Sequence, residues 1–473
     1  MEFKNTWFNN PQWWFSQDYD NEITDKYSYL LDQPTDPTDP PDPIHQILIY
    51  DQLPRHIFRD GPNNHIITYF LQKALSIKID YDILDDNEYC FAMLPLRHTK
   101  DFQFILNNVL PRTWNRIYKN KNISPILRRF LKATYERCPL VGAKLDTRSI
   151  LYYPPSILAH NPIINFKPNL SSKNSIDKIV ISLSGGVDSM VASHMLLQKY
   201  QNISAVHINY ANRITSKDET EANFVVDWCN TILHIPCYVR HITEINRNEC
   251  MEYGFRELYE TYTRNVRYFA YKEFGPDAKI ILGHNKDDVM ENIFTNIANK
   301  NKYDNLDGMT EYSTQDGICF WRPLLHLSKE EIISYAHANN IPYLPNSTPT
   351  WSQRGQIRNS IVPVINKWNS QFISGLHDLS DTLNEYHEIM NTMIDEVICR
   401  APLYIDKLHT SKIFWRSLFA KLGYENISNK SLNHMCERLS DFKDSMRINI
   451  SKNLSINIKL IEKVYYLNLN KTI

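Results

Sequence analysis

The feature that most constrains the fold is a glycine pair between an apolar segment and an amphipathic one. Residues 179–183 are apolar apart from Ser182, and residues 187–200 have helical spacing. The joining residues are Ser184, Gly185, Gly186, Val187, Asp188 and Ser189. Adjacent glycines let the backbone wrap around an anion, and the first N–H groups of the helix point at it. We therefore predict a phosphate loop, with Asp188 available to hold Mg²⁺ on the phosphates. No Gly-Lys-Ser/Thr ending follows, which excludes the common kinase-type phosphate loop.

Strand and helix patterns alternate after this loop. Strands are predicted at 179–183, 205–210, 237–242 and 279–284, and helices at 187–200, 220–233, 252–274 and 286–299. Such alternation is typical of a parallel sheet covered by helices on both faces, so we predict an α/β fold. Ligands of these sheets bind beyond the carboxyl ends of the strands, where His284 is also expected.

Length and composition bound the remaining possibilities. A chain of 473 residues is long enough for about two to four domains. Residues 1–60 contain eleven Asp or Glu and four Lys or Arg. Residues 401–473 contain six Asp or Glu and twelve Lys or Arg. The basic end is the better candidate for RNA phosphates, although a solvated surface explains the charge equally well. Eight scattered cysteines without a Cys-x-x-Cys pair do not support a metal cluster, and no long apolar run suggests a membrane segment. We expect a cytoplasmic protein.

The regions on either side of the α/β segment have their own patterns. Residues 1–140 show helical spacing after a proline-rich loop at 34–43, so an all-α domain is predicted there. Within it, Asp51, Arg55 and Arg59 are spaced to share a helix face, and we interpret them, and His98, as structural charges. Residues 141–175 suit a linker, and residues 367–473 predict a small α+β domain.

Several charged residues are candidates for chemistry. Asp287, Asp288 and Glu291 gather at a predicted helix start, where they can bind Mg²⁺ or an ammonium group, or simply complement the helix dipole. Arg264, Arg267 and Tyr268 lie on one helix and can hold phosphates or stack on a base, or form an ordinary exposed face. Ser328 and Glu331 form a capping box, which is structural.

Six stretches together carry a family resemblance. They are residues 184–189, 207–213, 264–268, 283–291, 322–325 and Arg358-Asn359. In this order they resemble the tRNA(Ile)-lysidine synthetase branch of the PP-loop superfamily of ATP pyrophosphatases. The resemblance is strong over 176–366 and weak over 367–473. Residues 1–140 resemble an uncharacterised bacterial family of TPR-like helical proteins.

The resemblance implies a reaction and roles for particular residues. ATP would adenylate the wobble cytidine of an isoleucine tRNA, and free lysine would displace AMP. The implied catalytic residues are Asp188, His284 and Asp287, with Asp188 also the Mg²⁺ candidate. The loop 184–189 and His207 would bind ATP, and Asp288 and Glu291 the lysine. The RNA or phosphate contacts would be Arg264, Arg267, Tyr268, Arg322 and Arg358. A protein partner for the N-terminal domain is a further expectation, and a membrane role is not.

The chain also departs from the family pattern. Asn285 stands where a second histidine is usual, residues 346–350 replace an Asp-x-Ser-Asn element, and a polar stretch at 299–305 replaces glycines. These changes concern substrate placement more than pyrophosphate binding. Two alternatives stay open: tRNA thiolation, which usually requires paired cysteines, and a non-catalytic nucleotide- or RNA-binding module.

Overall fold

A computed structural model describes most of the chain. The described residues are 2–32, 42–59, 64–121, 123–138, 150–153, 178–210, 218–299, 308–344, 352–400, 403–406, 411–424, 427–451 and 454–471. They divide into two compact units. The first contains Met1–Gly185, Ser193–Ile280 and Gln315–Cys319, and the second contains Gly186–Ala192, Ile281–Thr314 and Phe320–Ile473. The predicted domain boundaries stay predictions.

The N-terminal part of the first unit is helical, as predicted. Its helices are α1 (Glu2–Asn9), α2 (Asp20–Tyr27), α3 (Pro43–Ile47), α4 (Leu53–Ile57), α5 (Asn64–Leu75), α6 (Asp86–His98), α7 (Phe102–Phe104), α8 (Leu110–Asn120) and α9 (Pro125–Arg137). Single 3₁₀ or π turns join some of them, such as the π turn Leu48–Gln52. The buried Trp7 anchors the core, meeting the rings of Trp13, His56 and Phe91 edge-on at centroid distances of 6.5, 5.5 and 5.7 Å.

The prediction that Asp51, Arg55 and Arg59 are structural charges on one helix face is half right. Asp51 is buried and accepts hydrogen bonds from Arg55 at 3.2 Å and from His98 Nδ1 at 2.9 Å. Burial raises the pKa of Asp51, but these two partners more than offset it and hold the pKa below its usual value. Arg59 does not join them and pairs with Asp20 at 2.9 Å, because α4 ends at Ile57 and Arg59 leaves its face.

A mainly parallel sheet follows, also as predicted. Its strands in chain order are β1 (Ile150–Tyr153), β2 (Ile179–Ser182), β3 (Ile203–Asn209), β4 (Cys237–His241) and β5 (Lys279–Ile281). The first unit also contains α11 (Asp218–Trp228), α12 (Arg247–Glu252) and α13 (Arg256–Phe274), while α10 (Val187–Leu197) begins in the second unit. β2 pairs in parallel with β3, and β3 with β4. β1 pairs antiparallel with β4, so the stretch predicted as a linker contributes a strand.

The chain continues with α14 (Lys286–Ala298), which lies in the second unit, and with a hairpin that the sequence analysis missed. The hairpin strands are β6 (Tyr312–Gln315) and β7 (Ile318–Trp321), and the complete sheet order is β1-β4-β3-β2-β5-β7-β6. The two-residue turn, Asp316 and Gly317, has φ of 51° and 76°, which suits a tight hairpin. Beyond it lie α15 (Lys329–Ala338), α16 (Gln353–Gln356), the π turn Ile357–Ile361, α17 (Val362–Trp368) and α18 (Phe372–Ile398).

The C-terminal segment is α+β, in agreement with the sequence. It contains β8 (Tyr404–Ile405), α19 (Lys412–Lys421), α20 (Asn429–Ser440), β9 (Ser445–Ser451), β10 (Leu454–Ile461) and β11 (Val464–Lys471). The strands form an antiparallel sheet in the order β8-β11-β10-β9. Trp415, Phe419, Leu432 and Ile456 are among the buried residues that form its core with the end of α18.

Several sequence predictions lie outside the described residues. They are most of the proline-rich loop at 34–43, most of the stretch 141–175, all but the first residue of the altered motif at 299–305, and the altered motif at 346–350. Within the described part of the chain, no helix is both long and apolar enough to cross a membrane.

Candidate active site

The loop after β2 has the shape that its glycines predict. Gly185 has φ of +77°, a backbone conformation that residues with a Cβ rarely adopt. The loop leads directly into α10 at Val187, and Ser189 Oγ donates to the carbonyl oxygen of Gly186 at 3.0 Å. The N–H groups of the first turn of α10 therefore lie next to the loop, which is the arrangement that binds phosphate groups.

A third glycine keeps the start of α10 accessible to a neighbouring segment. Gly283 follows β5, and a Cβ at this position would lie 2.9 Å from the backbone nitrogen of Ser189 and 3.0 Å from the carbonyl carbon of Asp188. No side chain fits into that space without moving the backbone. The glycine before His284 is thus required by close backbone approach.

Asp188 lies at the centre of a group of three polar side chains. Lys329 Nζ donates to both carboxylate oxygens of Asp188, at 2.8 and 2.6 Å. Asn285 Nδ2 donates to Oδ1 of Asp188 at 3.0 Å. The side chains of Asp188 and Lys329 are 24% and 28% exposed, so both charges are open to a ligand from solvent. We call these three residues the nucleotide cluster.

Lys329 escaped the sequence analysis, which interpreted its surroundings only as a capping box. The capping box does exist: Ser328 Oγ accepts from the Glu331 backbone at 3.3 Å, and Glu331 accepts from the Ser328 backbone at 2.7 Å. It begins α15 at Lys329 and so sets the position of the amine. The ion pair with Asp188 spans 141 positions of the chain, and no local pattern signals it.

Asn285, which stands where the resemblance leads to the expectation of a second histidine, lies at the start of α14. Its Oδ1 accepts from the backbone N–H groups of Asp287 at 2.9 Å and Asp288 at 3.2 Å, and Asp288 accepts from the Asn285 backbone at 3.1 Å. Asn285 is thus the buried N-cap of α14, while its amide nitrogen orients Asp188. A residue with both an acceptor and a donor is needed for these two contacts.

The carboxylates predicted to bind lysine are already paired with arginines. Arg354 donates to Asp288 and, at 2.7 Å, to Glu291. Arg358 donates to Glu291 at 2.8 Å through Nε and lies 2.7 Å from it through its terminal nitrogen. The side chain of Glu291 is 1% exposed and that of Asp288 is 9% exposed, whereas Arg354 is 50% exposed. We call Asp288, Glu291, Arg354 and Arg358 the amine cluster.

Arg354 is the second functional candidate that the sequence analysis missed. It lies four residues before Arg358, so both guanidinium groups reach the same side of α14. That spacing was visible in the sequence, but its partners are 63 and 66 positions away. Arg358 was predicted to contact RNA or phosphate, and the structure places it on Glu291.

Asp287 differs from its acidic neighbours. It is half-buried, and its side chain makes no hydrogen bond or ion pair with the described residues. Burial raises the pKa of Asp287, and the charges of Asp288 and Glu291 raise it further, against the opposing effect of Arg358 and Lys329. A carboxylate with a raised pKa and no partner is suited to take up a proton.

His284 is held by Arg322. Arg322 Nε donates to His284 Nδ1 at 3.2 Å, which leaves the proton of the neutral ring on Nε2. The guanidinium also donates to the Thr310 carbonyl at 2.8 Å and to Ser313 Oγ at 3.0 Å. Arg322 therefore fastens the segment before β6 to His284, and its predicted phosphate contact stays a prediction.

His207 lies on β3 in the first unit. It is fully buried, and its Nδ1 donates to the carbonyl oxygen of Leu183 at 2.8 Å. This contact supports the end of β2 directly before the phosphate loop. The predicted ATP contact of His207 stays a prediction.

The helix α13 carries the predicted RNA contacts of the first unit. Arg264 is exposed, and Arg267 lies with its Cζ 5.9 Å from the centre of the Tyr268 ring. The Tyr268 hydroxyl donates to Gln315 at 2.8 Å. The RNA role of these three side chains stays a prediction.

The fit of Mg²⁺ depends on the substrate. Among the described residues, no group of three or more His, Cys, Asp or Glu side chains could hold a metal ion. Asp188 offers one carboxylate, and Mg²⁺ is commonly held by one or two carboxylates together with substrate phosphates. The residues therefore fit a magnesium ion whose other ligands come from ATP and water.

The comparisons with known proteins agree with this geometry. Residues 161–365 match the model of a PP-loop domain family. Several curated relatives named tRNA(Ile)-lysidine synthase are also similar to this chain. The relative from Oceanobacillus iheyensis is 27% identical over 267 residues, which cover 53% of this chain and 52% of the relative.

Two staphylococcal relatives with the same name show similar values. The relative from Staphylococcus aureus strain MRSA252 is 29% identical over 225 residues, covering 45% of this chain and 50% of the relative. The relative from Staphylococcus epidermidis strain RP62A is 28% identical over 287 residues, covering 58% and 63%. This chain thus spans about half the length of the first relatives. Residues 161–365 are thus similar to a PP-loop domain family, and about half of the chain is similar to proteins named tRNA(Ile)-lysidine synthase.

Proposed function

We propose that this protein is an ATP-dependent ligase that attaches lysine to the wobble cytidine of an isoleucine tRNA. The products are lysidine, AMP and pyrophosphate. The observation that carries the proposal is the nucleotide cluster of Asp188, Asn285 and Lys329 at a Gly-Gly phosphate loop, within the segment that matches a PP-loop domain. The amine cluster on the same helix start supplies the second substrate site.

The proposed reaction has two steps. The 2-oxo oxygen of cytosine attacks the α-phosphorus of ATP, and the bond to pyrophosphate breaks. Lysine, after its ammonium group loses a proton, attacks C2 of the ring, and the C2–O bond breaks as AMP leaves. Both steps need held reactants and stabilised negative charge more than covalent help from the protein.

The nucleotide cluster supports the first step. The loop 184–189 holds the β- and γ-phosphates through backbone N–H groups at the start of α10. Lys329 provides a partly exposed positive charge, and it can turn from Asp188 to the phosphates when the nucleotide arrives. When bound, Mg²⁺ would neutralise charge on the leaving pyrophosphate, and Asp188 is the side chain that would hold it.

The amine cluster and Asp287 support the second step. Asp287, Asp288 and Glu291 carry three negative charges, and Arg354 and Arg358 two positive ones, which leaves a net charge of −1 for one ammonium group. Arg354 is half exposed and can bind the carboxylate of a free amino acid. Asp287 accepts the proton of the ammonium, since its pKa is raised by burial and by the two neighbouring carboxylates.

The remaining predictions complete the proposal. We place a helical domain at 1–140, a connecting segment at 141–175, the PP-loop domain at 176–366 and an RNA-binding α+β module at 367–473. We also propose that the enzyme works in the cytoplasm and that its N-terminal domain binds a protein partner. The basic composition of residues 401–473 supports the RNA role of the last module.

The test uses bulk tRNA, ATP, Mg²⁺ and isotopically labelled lysine. Nucleoside mass spectrometry should find labelled lysyl-cytidine with the wild-type protein and with Glu330→Gln, an exposed control on α15. Asp188→Asn should form it about 10² to 10³ times more slowly. Pyrophosphate release without the labelled nucleoside would reject lysine as the donor. Absence of both signals from folded wild-type protein would reject the ligase.

A further inference from the structure

A cluster of three arginines lies on the N-terminal helices, outside the candidate active site. Arg97 on α6 and Arg129 and Arg137 on α9 line one shallow depression. The other lining residues, including Phe15 and Phe130, are apolar, and no carboxylate is among them. We call Arg97, Arg129 and Arg137 the arginine cluster.

Two of these arginines are seated on aromatic rings. Arg97 Cζ lies 5.1 Å from the centre of the Phe130 ring, and Arg129 Cζ lies 4.2 Å from the centre of the Phe15 ring. A guanidinium group over a ring gains cation–π energy while its N–H edge stays available to donate. The rings therefore hold the donors in place without using them.

Three neighbouring basic residues have acidic partners, whereas no member of the arginine cluster has one among the described residues. On α8 and α9, Arg116 pairs with Asp86 at 2.7 Å, Lys119 with Asp82 at 3.1 Å, and Lys132 with Glu136 at 3.7 Å. No ion pair between described residues includes a member of the arginine cluster.

Burial opposes the charged form of Arg97. Burial lowers the pKa of Arg97, and the like charge of Arg137 lowers it further. Asp51 acts in the opposite direction, but it is already paired with Arg55 and His98. Like charges brought together on a partly desolvated surface are stabilised by an anion from outside.

The size of the depression limits what the anion can be. It encloses about 20 Å³, which is enough for one water molecule and too small for a nucleobase. The ligand must therefore bind on the rim through oxygen atoms. Arg116, Lys119 and Lys132 have acidic partners, and the other five Lys or Arg of residues 110–137 have none among the described residues. Unpaired positive charge therefore extends beyond the cluster and suits a long polyanion better than a single ion.

We propose that the arginine cluster binds phosphodiester groups of the RNA substrate, giving the N-terminal helices a direct part in holding tRNA. Arginine forks match the geometry of phosphate oxygens and bind them bidentately. The inference rests on the proposed function for the identity of the RNA. The tRNA would then be held at two surfaces of the protein. The other is the C-terminal module, where the basic composition of residues 401–473 predicts RNA binding.

The test measures tRNA binding by the full-length protein across a potassium chloride series. The double variant Arg129→Gln/Arg137→Gln removes two cluster charges, and Lys119→Gln/Lys132→Gln removes two charges of α8 and α9 that are already paired. Each lost phosphate contact lowers the slope of log Kd against log salt by about 0.7 to 0.9. The affinity advantage of wild type over the cluster variant should thus fall about tenfold between 50 and 200 mM salt.

The outcomes separate this proposal from the enzymatic one. A slope change confined to the cluster variant, with an unchanged melting temperature, supports the phosphodiester site. Equal slopes for wild type and cluster variant, or equal changes in both variants, overturn it. The substitutions could instead weaken the binding of poly-glutamate and leave tRNA binding unaffected. The cluster would then bind an acidic protein, and the proposal would be wrong. Failure of wild-type protein to bind tRNA at all would instead reject the proposed function.

Discussion

The nucleotide cluster and the amine cluster are both built from opposite charges around α14, and they differ in how far they are closed. Asp188 and Lys329 form a pair that is about one quarter exposed on each side. Glu291 is almost fully buried under Arg354 and Arg358. An open pair can exchange partners with a ligand at little cost, whereas a closed one is also part of the folded structure. Substitutions in the first should therefore act on catalysis, and substitutions in the second on stability as well.

The largest effect is expected at Asp188. Asp188→Asn removes the negative charge that holds Lys329 and the carboxylate available to a metal. The rate of tRNA-dependent pyrophosphate release should fall by about 10² to 10³, as for other removed electrostatic contacts in active sites. The melting temperature should change little because the pair is partly open to solvent. A folded variant with wild-type release would show that the open cluster is not catalytic.

Glu291→Gln tests the closed cluster. It leaves two guanidinium groups facing a neutral amide in a buried place, and breaking a buried pair costs about 3 kcal/mol. Differential scanning calorimetry should show a midpoint lower by roughly 5 to 10 °C. The double variant Glu291→Gln/Arg358→Met should recover part of the loss, since the unpaired charge is removed. A single variant as stable as wild type would contradict the distinction between the clusters.

A smaller effect on catalysis is expected for Lys329 of the nucleotide cluster. Lys329→Met should raise the KM for ATP about tenfold, the size of one charge-assisted hydrogen bond. Lys329→Arg, which keeps the charge, should retain most of the affinity. Initial rates of pyrophosphate release over an ATP series distinguish the two. Identical KM values for the Met and wild-type proteins would mean that Lys329 only neutralises Asp188.

The smallest effect concerns pH and Asp287. Because the folded-state pKa of Asp287 is raised, its contribution to stability is fully present below the unfolded pKa of about 3.9 and is lost as pH rises through the folded pKa. Asp287→Asn should therefore gain stability relative to wild type as pH rises from 4 to 7. Melting temperatures across this range check the sign. If the wild-type protein instead gained stability relative to the variant as the pH rises, the raised pKa of Asp287 would be refuted.

Local signals in the sequence were sufficient for the phosphate loop and most elements. Gly185 and Gly186 predicted the tight turn, and Ser328 with Glu331 predicted the start of α15. The hairpin of β6 and β7 was missed although Asp316-Gly317 is a strong turn signal. The strand β5 was predicted to reach His284 but ends at Ile281. The N-cap at Asn285 and the close approach at Gly283 account for that difference.

The chain by itself determined the tight turn and the helix start of the proposed phosphate loop, because glycines, a strand and a helix start act over a few neighbouring residues. It also determined which carboxylates gather at the start of α14. Only the tertiary structure decided their partners: Lys329 for Asp188, and Arg354 and Arg358 for Asp288 and Glu291. These partners are 63 to 141 positions apart in the chain, so no repeating pattern in the sequence pairs them. Coulomb attraction depends on the distance between charges, and only the folded chain determines which arginine or lysine lies close to each carboxylate.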